Sequence, residues 1–222
     1  GVNNVLVGGL AGDSLTDADD NVVVGYAALS ADQLGSRNTA VGRGTLSNQA
    51  FTTATQSYNT AVGYQAGGAI TTGTQNTAIG GLALDAATTG AANVALGYQA
   101  LSADTKGQNN TAVGHNALAT QNLTTATNSY NTAVGSQAGL TISTGVLNTL
   151  IGGLAGDALT SGNNNTAVGY LALSADTLGD RNTAIGTSAL TAQNFTTSTD
   201  SYNTAVGFTA GASITTGVNN TL

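Results

Sequence analysis

The chain has 222 residues, 41% of them hydrophobic and only 7% charged, with 31 Gly and no Pro, Cys, Met or Trp. Its formal net charge is −7, every acid is an Asp, and the bases are Arg37, Arg43, Lys106 and Arg181. This excludes a cationic stripe for nucleic acid, disulfides and thiolate metal sites, and, for want of 18 consecutive apolar residues, a membrane-spanning helix. The hydrophobic content is high enough to order a chain so poor in charge.

In chain order, one motif recurs from the start. Looser copies run from Asn4 to Gly8 and from Asn21 to Gly25, followed by Asn38-Thr39-Ala40-Val41-Gly42 and Asn59-Thr60-Ala61-Val62-Gly63. Further copies open at Asn76, Asn93, Asn110, Asn131, Asn148, Asn165, Asn182 and Asn203. The closing glycines are separated by 17, 17, 21, 17, 17, 17, 21, 17, 17, 17 and 21 residues, which gives a higher period of 72. A fixed short period is the mark of a solenoid, whose units bury their apolar faces only by stacking on neighbours. The expectation is an all-β protein: one parallel β-solenoid or β-roll of 12 to 13 coils, in blocks 1–72, 73–144 and 145–216 with a fourth beginning at 217–222. Because 217–222 repeats 1–6 almost letter for letter and no Met is present, the sequence reads as a window on a longer repetitive protein.

Within one coil, the residues after Asn are β-branched or small and predict a short strand. Thr39 and Val41 share one side, and Ala40 and Gly42 the other. Neither side is polar, so protein is expected against both. The reading adopted places the Thr/Val side inside the coil and the Ala side against sister chains, with the reverse assignment open. An Ala three residues beyond the glycine, as at Ala28, Ala66 and Ala100, opens a returning half that reads as a second short strand and a turn rich in Gly, Thr and Asp. The Asn that begins each motif (Asn38, Asn59, Asn76, Asn110, Asn131, Asn165, Asn182, Asn203) is read as a corner residue. It tolerates left-handed backbone, and its copies stack into an amide ladder.

The 21-residue coils insert about four residues, in the stretches Phe51 to Tyr58, Leu123 to Tyr130 and Phe195 to Tyr202. Their six end residues form a row of contact loops or, equally, hydrophobic staples tucked against the rod.

The copies at Asn59 to Ala66 (Asn-Thr-Ala-Val-Gly-Tyr-Gln-Ala) make the chain resemble the head repeats of trimeric autotransporter adhesins, and similar repeats occur in bacteriophage tail fibres. The resemblance implies a left-handed parallel β-roll, three identical chains side by side, display on a cell or virion surface, and attachment to a host surface or glycan. The motif here is one residue shorter between Asn and Gly than that family's, its coils are longer, and no stalk or anchor lies in these residues.

No chemistry is expected. The single His115 has Arg43 and Thr187 as its equivalents in the other blocks, and no nucleophile can be paired with a base. The glycine-rich stretch Gly8 to Asp13 lacks the nine-residue period of calcium rolls, and no Lys follows to make a phosphate loop. Asp17, Asp19 and Asp20 form one acidic cluster of the kind Ca²⁺ favours, absent from the other blocks and read as a solvated turn. Asn109, Asn122, Asn164, Asn194 and Asn219 begin glycosylation sequons. The expected protein is therefore a non-enzymatic extracellular fibre segment without metal or cofactor. An ice-binding solenoid is the alternative, and it needs an outward Thr in every rung of a flat array. A glycan-cleaving tail spike would need paired carboxylates in a cleft.

Overall fold

A computed structural model describes all 222 residues and contains no helix. Twelve three-residue strands form one continuous parallel sheet: β1 (Val5–Val7), β2 (Val22–Val24), β4 (Thr39–Val41), β6 (Thr60–Val62), β7 (Thr77–Ile79), β8 (Val94–Leu96), β10 (Thr111–Val113), β12 (Thr132–Val134), β13 (Thr149–Ile151), β14 (Thr166–Val168), β16 (Thr183–Ile185) and β18 (Thr204–Val206). Each pairs with the next in exact motif register, Thr111 with Thr132, Ala112 with Ala133, Val113 with Val134. Each motif is thus one rung of a β-solenoid. At about 4.8 Å between neighbouring strands, twelve rungs span roughly 55 Å.

The two sides of the strand are the reverse of the adopted sequence reading. Ala40, Ala61, Ala95, Ala112 and Ala133 are fully buried in the coil's own interior, while Thr39 and Val41 are half-exposed outside. The reason is volume. The returning half already supplies a large buried side chain in most rungs, Leu29, Leu46, Leu84, Leu101, Leu118, Leu173 or Leu190, and the strand position facing inward there is Ala in every such rung but that of Leu29, which has Val23. Where Leu replaces Ala on the strand, the returning half gives way: Gly12 would carry its Cβ 2.9 Å from Leu6 Cδ2, and Gly156 its Cβ 2.8 Å from Leu150 Cδ2.

The returning half is also not a second strand. It is a run of turns in which residues two and four after the glycine take left-handed backbone, as at Ala27 (φ 53°) and Leu29 (φ 48°). Its hydrogen bonds still run rung to rung, as from Leu29 N to Thr45 O at 2.9 Å and from Ala31 N to Ser47 O at 3.2 Å. True strand pairing on that side is confined to three short pairs, each leading into the insert of a 21-residue coil: β3 (Gly35–Ser36) with β5 (Thr55–Gln56), β9 (Gly107–Gln108) with β11 (Thr127–Asn128), and β15 (Gly179–Asp180) with β17 (Thr199–Asp200).

Candidate functional site

Four longitudinal rows present the rod's distinctive side chains. The first is interior. Asn38, Asn59, Asn76, Asn110, Asn131, Asn165, Asn182 and Asn203 are all buried. Each Oδ1 accepts the backbone N–H of the next Asn, as from Asn76 N to Asn59 Oδ1 at 2.9 Å; in five of the eight, Nδ2 donates to a turn carbonyl fourteen residues on, as from Asn76 to Gly90 O at 2.9 Å, and in Asn38, Asn110 and Asn182 to the Oδ1 of the preceding Asn. The left-handed corner itself falls on the residue before the Asn, at Arg37 (φ 64°), Tyr58 (φ 49°) and Gln75 (φ 60°), so the Asn is selected for its amide rather than for its backbone.

A second interior row escaped the sequence reading. Asp32, Asp104 and Asp176 are fully buried, as are Gln49, Gln121 and Gln193 one rung later. Asp32 Oδ2 accepts Gln49 Nε2 at 2.6 Å, and its Oδ1 accepts the N–H of Gly35 at 3.2 Å and of Phe51 at 3.1 Å. Gln49 Oε1 in turn accepts Asn59 Nδ2 at 2.8 Å. Asp104 and Asp176 anchor the same network around Leu123 and Phe195. A buried carboxylate with three donors ties the start of each insert to the core. The signal in the sequence was the recurrence of Asp and Gln at one register in all three blocks.

The inserts divide accordingly. Phe51, Leu123 and Phe195 tuck inward, whereas Tyr58, Tyr130 and Tyr202 are exposed. The Arg37 guanidinium lies over the Tyr58 ring and Arg181 over Tyr202, and Arg181 also pairs with Asp200. The insert end residues therefore do not form one row.

The outer face of the twelve-stranded sheet is the largest regular surface. One row holds nine threonines (Thr39, Thr60, Thr77, Thr111, Thr132, Thr149, Thr166, Thr183, Thr204), and the adjacent row is Val, Ile or Leu throughout. No charged residue occurs in either. Leu96 is 42% exposed, Ile151 39% and Val206 58%. The turn threonines Thr16, Thr71 and Thr120 donate to backbone carbonyls, but none of the nine strand hydroxyls has a hydrogen-bond partner within the chain. Beside this face runs an aromatic and cationic edge: Arg43 lies 5.7 Å from the Tyr26 ring and 5.8 Å from the Tyr64 ring, and Tyr98 stacks on His115 at 5.8 Å.

No known protein family, curated protein or solved structure matches this chain. The residues alone carry the functional argument. No group of three or more acidic or His side chains is placed to hold a metal ion, the cluster Asp17, Asp19 and Asp20 included. That cluster instead engages its surroundings: Asp19 Oδ1 accepts Val2 N, and Asp20 pairs with Arg37 at 3.7 Å. Asp85 and Asp157, equivalents one block apart, each have a buried Oδ1 without a partner, and desolvation pushes both carboxyls above their ordinary value, opposed by a bond to their own backbone.

Proposed function

We propose that the chain is a non-enzymatic segment of an extracellular fibre, in which identical rods pack side by side through the outer Thr/Val face, and whose exposed turns and inserts serve attachment at a cell or virion surface. The observation that carries this is the charge-free, apolar strip along all twelve rungs, with unpaired hydroxyls in register. A surface of that kind is stable against a partner of equal pitch, and a copy of the same rod has that pitch by construction. The resemblance to adhesin head repeats supports three chains per rod. The buried strip is about 55 Å long and two columns wide on each rod.

A second reading is supported by the same face. Moved outside the coil, the threonines form an outward array in nine of the twelve rungs, interrupted by Val5, Val22 and Val94, nearer to what an ice-binding solenoid requires than the turn threonines are. Sedimentation of the wild-type chain and of Leu96→Lys and Ile151→Lys separates the two. The fibre reading expects an oligomer that both substitutions reduce to monomers with unchanged circular dichroism. A wild-type monomer that depresses the freezing point, and loses this on Thr132→Lys, rejects it in favour of ice binding.

A further inference from the structure

The junction of blocks one and two carries a surface feature that the junction of blocks two and three lacks. Gly68 occupies a position held by Leu140 in the second block, and Gly44 one held by Asn116. The missing side chains leave two adjoining cavities of about 200 and 120 Å³ that share Ser47 and Gln65. Asp85 lines the larger, with Asn48; Tyr26 and Arg43 line the smaller. The Arg43 guanidinium lies 5.7 Å from the centroid of the Tyr26 ring and 5.8 Å from that of Tyr64. The Asp85 carboxylate makes no hydrogen bond to any residue but its own backbone, its Oδ1 being buried and unpartnered, and the side chains of Asn48, Gln65 and Arg43 make none. One groove therefore gathers a carboxylate, two amides, a guanidinium and an aromatic ring.

We infer that this groove is a saccharide subsite. A carboxylate and amide oxygens call for hydroxyl donors, amide N–H and guanidinium groups for hydroxyl acceptors, and a half-exposed tyrosine for the apolar face of a ring. A sugar offers all of these at once. A divalent cation fits poorly, since Ca²⁺ takes six to eight oxygens and a single carboxylate lines the groove. At about 200 and 120 Å³ the two hollows are shallow, smaller than the roughly 300 Å³ of an enclosing small-molecule site, and suited to one face of a single sugar ring. One block later the same place has no hollow: Leu140 replaces Gly68 and Asn116 replaces Gly44, and the Thr120 hydroxyl, in place of the Asn48 amide, donates to Leu140 O at 2.8 Å and Ile142 O at 3.1 Å. The inference gives the attachment role a ligand class and depends on the fibre reading only for its use, because binding to one groove requires no assembly.

The test is saturation-transfer NMR on the intact chain with the methyl glycosides of glucose, galactose, mannose and N-acetylglucosamine at millimolar concentration. At least one should receive transfer at its ring protons, with a dissociation constant in the millimolar range expected of a shallow site. Gly68→Leu, which copies the Leu140 rung, should abolish the transfer. Gln65→Ala, for which Ala27 is the precedent at the same left-handed position, should weaken binding at least about fivefold. Leu140→Gly should leave it unchanged. Equal transfer to wild type and Gly68→Leu, or none to either, overturns the assignment, as does Gly68-dependent uptake of Ca²⁺ with no sugar bound. Failure here with an oligomer intact in sedimentation leaves the fibre reading standing, and the converse result separates them equally well.

Discussion

The strand half and the returning half of each coil obey different rules, although both pass hydrogen bonds from rung to rung. In the strand half, every position meets its own copy above and below, so sequence is copied: Asn, a small interior residue, an outward aliphatic residue, Gly. In the returning half, what is conserved is filled volume. The interior there holds either a left-handed Leu, as at Leu84, or a Gly with an Ile or Leu three residues later, as at Gly67 and Ile70, where a Cβ on Gly67 would stand 3.0 Å from Ile70 Cδ1. A backbone ladder demands identity, whereas packing accepts any solution of the right size.

The most damaging way to break this contrast is at a motif glycine. Gly152 has φ 130°, and a Cβ there would lie 2.6 Å from the carbonyl oxygen of Gly169 in the next rung. Backbone cannot yield as a side-chain tip can, so Gly152→Ala should cost well above the roughly 1–3 kcal/mol of an ordinary strained residue, seen as loss of cooperative melting. In the returning half, Leu84→Gly should cost about 3 kcal/mol as a truncation of a buried leucine. Leu84→Gly combined with Ala87→Ile rebuilds the Gly67 and Ile70 arrangement and should recover more than half of that loss in chemical denaturation. If the double variant is no better than the single, volume is not what the returning half conserves.

Asp104→Ala removes the acceptor of three buried donors and should destabilise by about 3 kcal/mol, with the local loss reported by faster amide exchange at Gly107 and Leu123. The smallest effect concerns Asp157, where burial raises the carboxyl's folded-state pKa above its unfolded value. The folded chain then binds the proton more tightly than the unfolded one. The stabilisation is full below the ordinary carboxylate range and is lost as pH rises through the raised value. Asp157→Asn should therefore raise the melting temperature slightly at pH 7 and flatten its rise on acidification. A decrease at pH 7 would show that the ionised carboxylate has a partner.

The rung spacing, the parallel register and the continuous sheet were all legible from the interval between Asn and Gly. The sidedness of the strand was not, because Thr-Ala-Val alternates between two surfaces that are both free of charge. Only the bulk of Leu29 and its equivalents on the far side of the coil decides which is inner. The buried Asp32 and Gln49 were hidden for a different reason: Ser-Ala-Asp and Asn-Gln read as turn chemistry, and a buried polar pair is visible only once the coil is closed around it. The groove beside Asp85 was invisible in principle, since it consists of two absent side chains.

The left-handed residues carry one more implication. Thirty-one non-glycine residues hold positive φ, each at a cost of about 1 kcal/mol, and what holds them there is contact with the coils on either side. A coil at the tip of the stack has only one such neighbour. Drawn by its chain ends in an optical trap, the rod should shed coils singly from its extremities, giving a staircase of small, nearly equal releases at low force while the middle stays wound.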